Sequence, residues 1–361
     1  MKVGVGISGG VDSAVAAMLL KSAGHEVVGY TMCLGRVGEG KALSEAKSVA
    51  DWLGIRLFAI DCSKEWRDRV CAYLRNTYLA GQTPNPCVRC NETVKFGVLP
   101  KLAFAYGCER FATGHYSRLD TDASGRVFLR RGADLKKDQS YFLYRVSRET
   151  LSRTLFPLGG MTKAEVRAYA EAHGLPVSHK KDSTGVCFIG ERNFKKFLST
   201  YLPAQPGDMV SPEGKVVGHH DGLMYYTMGQ RRGLGIGGCG TGESWFVIGK
   251  DLAQNRLLVA QGEDHPALYS TLSIGEDVTW VGDAPIRDGE TLECTCKYRY
   301  RQADQDVRVT LEGDRVRIQA LTPQRAVTLG KSAVFYKGEE CLGGCIVTSV
   351  LDAGKAKTNN N

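Results

Sequence analysis

No run of about 18 or more uninterrupted apolar residues occurs in this 361-residue chain, so the sequence offers no membrane-spanning helix. The N-terminus reads as a strand and not as a signal peptide. A second Cys-x-x-Cys is missing, and Cys294-x-Cys296 is poorly spaced to complete a structural zinc site. There is no internal repeat and no glutaminase signature. Twelve cysteines in a chain without an export signal argue for thiol, metal or redox chemistry and against a disulfide scaffold. A cytoplasmic location is the expectation. The length exceeds what one core usually holds, so two or three domains are expected. A hydrophobic content of 43% with 24% charged residues is ordinary for a globular protein.

What is present begins at residue 3. Val3, Val5 and Ile7 form a short β-branched run that stops at Ser8-Gly9-Gly10. Asp12 and Ser13 then open a helical pattern carried by Val15, Met18 and Leu19 and ended by Gly24. A strand that breaks on glycines at a helix N-terminus cradles phosphate, because free backbone N–H groups and the helix dipole favour an anion there. No Gly-Lys-Ser/Thr follows, which excludes a Walker A loop. An ordinary glycine-rich strand–helix turn is the plainer alternative. Ser-Gly-Gly-x-Asp-Ser resembles the pyrophosphate loop of the ATP pyrophosphatases, which split ATP to AMP and pyrophosphate.

Along the first part, strand-like runs at 3–7, 26–32, 55–61 and 109–113 alternate with helical patterns at about 12–23, 41–53 and 64–80. This predicts an α/β doubly wound parallel sheet with ligand at the carboxyl ends of its strands. A further helix is expected over about 162–173, with Thr162 as N-cap, Glu165 three residues on, and Gly174 after it. The character changes near Tyr201. Leu202–Asp208 is rich in turn residues, and short β-like segments follow: Trp245–Ile248, Arg256–Val259, Thr291–Lys297, Val307–Leu311, Arg315–Gln319 and Ser332–Tyr336. They predict two small, mainly β domains, the last barrel-like. The expected division is 1–200, 201–268 and 269–352, with 353–361 a frayed tail.

The net charge of +8 is unevenly placed. Between Arg126 and Lys196 there are fifteen Lys/Arg and seven Asp/Glu, so the rest of the chain is neutral. One basic segment in a neutral protein suggests a polyanionic partner; a solvated charged face is the plainer reading. Two cysteine motifs stand out. Thr83-Pro84-Asn85-Pro86-Cys87-Val88-Arg89-Cys90-Asn91 places two thiols three residues apart after two prolines, a spacing used by half zinc sites, redox pairs and iron–sulfur ligands. Asp182–Arg192 holds Cys187 in a polar loop near Lys180, Lys181 and Arg192, where cations favour thiolate; a buried apolar cysteine is the alternative.

Taken together, these stretches resemble the bacterial and mitochondrial tRNA-specific 2-thiouridylases. The motifs run in order along nearly the whole chain: Ser8–Ser13, Thr83–Asn91, Thr113–Tyr116, Lys137–Leu143, Asp182–Arg192, Tyr226–Arg231 with Gly233–Ile236, Lys297–Gln302 and Val334–Gly344. The resemblance implies a sulfurtransferase that puts sulfur on C2 of the wobble uridine in tRNAs for Lys, Glu and Gln, using ATP and Mg2+. It implies that Gly6, Ile7, Ser8, Gly9, Gly10, Val11, Asp12, Ser13, Met32 and Gly114 hold ATP. His115, Lys137, Asp138, Gln139, Arg299 and Tyr300 would contact tRNA, with Asn85, Pro86 and Cys87 against the target base. Cys90 matches the family's nucleophile and Cys187 its persulfide carrier. A Cys90–Cys187 disulfide would be one product of that chemistry. A sulfur donor such as a cysteine desulfurase or a sulfur-relay protein is an implied partner, and a monomer is the expected form.

The chain departs from the family in three places. Many members carry Asp where Cys87 stands. Cys87, Cys90 and Cys187 together would suit a [4Fe–4S] cluster with one open iron site, an alternative to pure persulfide chemistry. The segment after Met32 is shorter than usual. Lys331 occupies the position from which a Gln normally reaches tRNA. Competing readings are a small-molecule ligase with the same loop, which leaves the paired cysteine motifs and the basic segment unexplained; an RNA thiolase with another target base, against which the ordered C-terminal motifs weigh; and a non-enzymatic RNA-binding module or sulfur carrier, which loss of thiolation on mutation of the Ser8–Asp12 loop would exclude.

Overall fold

The computed structural model describes residues 1–35, 39–181, 194–199, 202–237 and 242–351. The first part alternates strands and helices in the order β1 (Lys2–Gly6), α1 (Val11–Ser22), β2 (Glu26–Cys33), α2 (Glu39–Leu53) and β3 (Arg56–Asp61). There follow α3 (Ser63–Glu65), a π-type stretch Trp66–Cys71, and α4 (Ala72–Leu79). Next come α5 (Pro86–Cys90), a second π-type stretch Asn91–Lys95, α6 (Leu99–Ala105) and β4 (Arg110–Ala112). A hairpin, β5 (Ser117–Thr121) and β6 (Val127–Arg131), precedes α7 (Arg148–Ser152), β7 (Thr154–Leu155), α8 (Lys163–Ala172) and α9 (Phe194–Ser199).

Five of these strands form one parallel sheet in the order β3-β2-β1-β4-β7. Both faces are covered. Val3 and Val5 pack with α1, with Ala46, Val49 and Leu53 of α2, and with Val166 and Ala170 of α8. Val28, Tyr30 and Phe111 pack on the opposite side against Trp66, Val70, Leu74, Leu99 and Ala103. Strands buried on both faces are why these runs read as continuously apolar. The chain reverses direction across the sheet between β1 and β4. That switch point opens a crevice at the carboxyl ends of the strands, where the Ser8–Ser13 loop and Thr113–His115 both lie.

The helix expected near 162–173 forms with its capping box complete: Thr162 accepts from the Glu165 amide and Glu165 accepts from the Thr162 amide. Gly174 follows at φ +67°, the left-handed turn that ends a helix. The single helix expected over 64–80 is instead three pieces with a π-type turn in the middle. The hairpin β5–β6 was not anticipated.

The remaining strands build two β units. The first sheet has the order β10-β11-β8-β9, from β8 (Gly207–Val210), β9 (Val216–His220), β10 (Trp245–Asp251) and β11 (Arg256–Gln261). The second comprises β12 (Tyr269–Trp280), β13 (Thr291–Lys297), β14 (Gln305–Glu312), β15 (Arg315–Arg325), β16 (Ser332–Lys337) and β17 (Glu340–Val350). It runs β12-β15-β14-β13-β16-β17, and β12 also pairs with β17, closing a six-stranded barrel. Its core is Val309, Val316, Ile318, Phe335 and Val347 with Cys296 and Cys345. Beyond closure, β17 carries the hairpin β6–β5 of the first part through the pair Glu340↔Arg130. The barrel and the α/β unit therefore share a sheet edge. The tail expected at 353–361 lies outside the described residues.

Thr162→Ala removes an N-cap that both groups of the box depend on, so the α/β unit should lose about 1 kcal/mol of stability. Urea unfolding followed by far-UV circular dichroism measures it; an unchanged midpoint would show that α8 is held by packing alone.

Candidate functional site

The loop after β1 is organised by its own serines. The Ser8 amide donates to Ser13 Oγ at 3.1 Å, Ser13 Oγ donates to the Gly10 carbonyl at 3.1 Å, and the Gly10 amide donates to Ser8 Oγ at 3.3 Å. No side chain caps α1, whose N-cap is Gly10, so the helix N-terminus presents amides to the crevice. Gly9 has φ +74°, and a Cβ there would stand 2.7 Å from Glu45 Cβ. A Cβ on Gly114 would lie 2.6 Å from the Asp12 backbone carbon, so the turn after β4 seats directly on the first turn of α1. Gly6 has no such constraint: its nearest neighbour would be 3.6 Å away. Ile7 and Val11 are buried under the loop, and Met32 lies near the end of the adjacent strand.

Three residues that the sequence did not place here complete this crevice; Lys180 was expected only beside Cys187, and Tyr116 only as part of a motif. Asp12 Oδ1 accepts from Tyr116 Oη at 2.7 Å and from Lys163 Nζ at 2.6 Å. Lys180 Nζ donates to the Gly9 carbonyl at 2.9 Å and to Glu45 Oε2 at 2.7 Å. Lys163 is the first residue of the capping-box helix and only 9% exposed. Its usable signal was that position, just inside a helix start. Two ammonium groups beside an uncapped helix N-terminus fit a polyphosphate.

The cysteine pair sits on the single turn α5. Pro86 is at its first turn and Asn85 is the N-cap residue, without a cap bond from its side chain. Asn85 instead donates Nδ2 to Tyr141 Oη at 2.9 Å and accepts on Oδ1 from Lys331 Nζ at 3.1 Å; its amide donates to Tyr73 Oη at 3.1 Å. At i and i+3 the side chains of Cys87 and Cys90 lie on one side of the turn. Cys90 is 3% exposed and Cys87 partly exposed. Lys331 Nζ also donates to the Pro84 carbonyl at 3.2 Å. Burial pushes the Lys331 ammonium down to about 8, helped by the Arg299 charge and opposed by Cys87. Cys187 and its motif, Asp182–Arg192, lie outside the described residues.

A third group of residues links the other two. The Gln139 amide donates to the Tyr116 carbonyl at 2.8 Å, and Gln139 Oε1 accepts from the Tyr116 amide at 3.0 Å. Asp138 is buried and accepts from the amides of Gly132 and Ser140 and from Ser140 Oγ. Tyr141, two residues on from Gln139, meets Asn85 and donates to the Ser332 carbonyl. Hydrogen bonds thus join Asp12 to Tyr116 and Tyr116 to Gln139, the chain itself carries Gln139 to Tyr141, and Tyr141 in turn meets Asn85. The Tyr300 ring lies 4.5 Å from that of Phe142, tilted by 43°, and its hydroxyl donates to the Lys137 carbonyl at 3.3 Å. Arg299 donates to the Ala326 carbonyl at 3.0 Å. His115 lies buried between Phe96 and Phe156, with Nδ1 2.8 Å from Thr113 Oγ1. Burial, then Lys95, holds its pKa well below the usual histidine value, so the ring is neutral near pH 7.

Three family models match consecutive parts of the chain: "tRNA methyl transferase HUP domain" over residues 1–191, "tRNA methyl transferase PRC-barrel domain" over 195–261, and "Aminomethyltransferase beta-barrel domain" over 270–347. A tRNA-specific 2-thiouridylase MnmA from Alkaliphilus oremlandii is 49% identical over 97% of this chain and 98% of its own length. The protein of that name from Streptococcus sanguinis is 48% identical, covering 98% and 97%. The one from Bacillus licheniformis is 48% identical, covering 98% and 96%.

Gly114→Ala forces the first turn of α1 to move, and affinity for ATP should fall by about tenfold or more. Nucleotide titration by calorimetry checks it; undiminished binding would remove Gly114 from the site. The depressed Lys331 pKa also has a stability consequence. The folded protein releases this proton near pH 8, while the unfolded chain keeps it to about 10.4. The unfolded state binds more protons in that window, so stability due to Lys331 rises with pH across it and its cost is full below. The unfolding midpoint of wild type relative to Lys331→Met should therefore climb between about pH 8 and 10; a flat difference would mean that the ammonium is solvated.

Proposed function

The chain belongs to the tRNA-specific 2-thiouridylase family, and from that premise we propose that it catalyses ATP-dependent 2-thiolation of the wobble uridine of tRNA, of the Lys, Glu and Gln type. The observation that carries the reading is that one segment, Gln139–Tyr141, touches both places: Gln139 bonds Tyr116, which holds Asp12 of the phosphate crevice, and Tyr141 bonds Asn85 at the start of the thiol turn. A small-molecule ligase needs the first but not the second.

The chemistry follows from the uridine. Its C2 carbonyl is a poor electrophile because both ring nitrogens donate into it. Attack of the C2 oxygen on the α-phosphate of ATP expels pyrophosphate and turns that oxygen into part of a leaving group, AMP. The uncapped α1 terminus, Lys163 and Lys180 offset the charge that builds on the phosphates, with Mg2+. The terminal sulfur of a Cys187 persulfide then attacks C2. The Cys90 thiolate attacks the Cys187 sulfur, the S–S bond of the persulfide breaks, and AMP leaves with the former carbonyl oxygen. The base keeps one sulfur, and Cys90–Cys187 becomes a disulfide that an external thiol must reduce. Neutral His115 is suited to hydrogen bonding and not to pairing with phosphate. The base must leave the anticodon stack to reach Cys87 and Cys90.

The thiols also fit an iron–sulfur cluster as far as the described residues go. Cys87 and Cys90 lie on one side of a turn, and the buried Lys331 ammonium offsets thiolate charge beside them. Cys87, Cys90 and Cys187 would hold the cluster, and its open iron would present a sulfide. The catalytic unit is 1–200, 201–268 is a small central domain, and the basic segment with the barrel at 269–352 grips the tRNA backbone and shape. Residues Lys137–Gln139, Arg299, Tyr300 and Lys331 take the anticodon side. In this reading a cysteine desulfurase or relay protein supplies sulfur, and the protein acts as a monomer in the cytoplasm.

Nucleoside mass spectrometry after anaerobic incubation of unmodified tRNA with protein, ATP-Mg and sulfide should show 2-thiouridine. Cys90→Ala and Cys187→Ala should abolish it while AMP formation continues. AMP with no thiolated base from the wild type would reject the target or the sulfur route. Absence of both products would return the reading to a ligase. Iron and sulfide counting on the same active sample separates cluster from persulfide.

A further inference from the structure

We propose that Asp277, on β12 of the barrel, is a positioning residue for the two thiols: it holds the Cys87–Cys90 turn through Arg89 and Arg145. The proposal rests on the sulfur-transfer reading above for its consequence, and on geometry alone for its mechanics.

Arg89 stands between the two cysteines. It donates NH1 to Glu92 Oε2 at 2.8 Å and NH2 to Asp277 Oδ2 at 2.9 Å, and its guanidinium lies over the Tyr73 ring at 5.2 Å. Arg145 reaches the same two acids. It donates NH2 to Asp277 Oδ1 and NH1 to the Asp277 carbonyl, each at 3.1 Å, and its Nε is 3.1 Å from Glu92 Oε2. Each carboxylate is thus shared by both guanidiniums, and the four charges cancel. The Arg145 side chain is 8% exposed, so without Asp277 a buried cation is left to share Glu92 alone with Arg89.

The backbone of Asp277 makes this more than a surface ion pair. Its φ is +53°, a left-handed conformation uncommon outside glycine and tolerated best by Asn and Asp. It falls in a β-bulge, where the pairing of β12 with β17 slips between Glu276 and Thr279. A bulge re-aims a side chain, and here the re-aimed side chain reaches the Arg89 of the thiol turn. A glycine would fit the backbone with less strain but has no carboxylate. Strain kept in place by its surroundings is found where geometry serves function.

Domain docking alone does not account for the cluster. The barrel already grips the other end of the same segment: the Thr83 amide donates to the Leu329 carbonyl at 2.9 Å, and Lys331 holds Pro84 and Asn85. Asp277 supplies the second grip, at the Arg89 end. The thiol turn is bracketed by two points of the barrel, so its pitch is set from outside the α/β unit.

The test uses the full-length protein with Asp277→Asn, which keeps the backbone preference and removes the charge, and Asp277→Gly, which also relieves the strain. Arg89→Gln breaks the same contact from the other side and serves if either fails to fold. In each variant, kcat for 2-thiouridine formation should fall about tenfold or more, while KM for tRNA and ATP stays within about twofold. AMP released per thiolated base should rise, because activation is untouched. Iodoacetamide should label Cys90 of the free protein about fivefold faster. Wild-type kcat with wild-type labelling overturns the proposal. So does a raised KM for tRNA alone, or a loss that tracks the folded fraction by circular dichroism. Should the wild type make no 2-thiouridine, the function reading fails, and the labelling rates decide the positioning role by themselves.

Discussion

Asn85 is buried, and a buried carboxamide must find partners for its oxygen and its nitrogen or cost about 1–3 kcal/mol for each group left unpaired. Both partners come from elsewhere in the chain. Tyr141 receives its NH2 group and passes a hydrogen bond on to the Ser332 carbonyl; Lys331 reaches its oxygen and also the Pro84 carbonyl. The turn that carries the thiols is therefore fixed only when residues 139–142 and the barrel turn at 328–332 are both in place. Neither the α/β unit nor the barrel can satisfy that turn alone. Everything proposed for sulfur transfer depends on this closure.

The same dependence explains what could be read from the sequence and what could not. The Ser8–Ser13 loop, the doubly wound sheet and the Thr162–Glu165 box are local patterns, decided by residues within a few positions of one another, and they were legible. The barrel was legible as a series of short strands. The hairpin at 117–131 was not, because its place is set by a pairing with Glu340 more than 200 residues away. Lys163 and Lys180 were hidden for a similar reason. A lone lysine carries no motif, and only the fold brings each to the Gly9–Asp12 turn. The left-handed Asp277 had little local signal either: Gly275 stands two residues before it, but nothing in the sequence singles out Asp277 itself.

Charge needs the same caution. The +8 between Arg126 and Lys196 reads as a surface for a polyanion, but much of it is used internally. Arg131 pairs with Asp304, Arg145 with Glu92 and Asp277, Arg148 with Asp283, Lys163 with Asp12 and Lys180 with Glu45. Several of these pairs join the α/β unit to the barrel. A basic segment can therefore be a docking seam as well as a nucleic-acid face. Here Arg131, Arg145 and Arg148 bind acids of the barrel, while Lys163 and Lys180 reach the Gly9–Asp12 turn.

That division bears on how an enzyme of this kind avoids wasted ATP. In the proposed reaction, activation needs only the crevice, which the α/β unit builds from its own residues: Ser8, Ser13, Gly114, Lys163. Sulfur transfer needs the thiol turn, which the barrel brackets at Asn85 and Arg89. If the barrel also grips tRNA, the geometry of the second step is set by the element that senses the substrate, and the polar path through Gln139 and Tyr116 joins that element to the first step. Coupling of this sort requires no large motion. A shift of about 1 Å in the thiol turn is enough to separate a productive attack from a slow one, and two charged grips on a five-residue helix leave few other places for such a shift to arise.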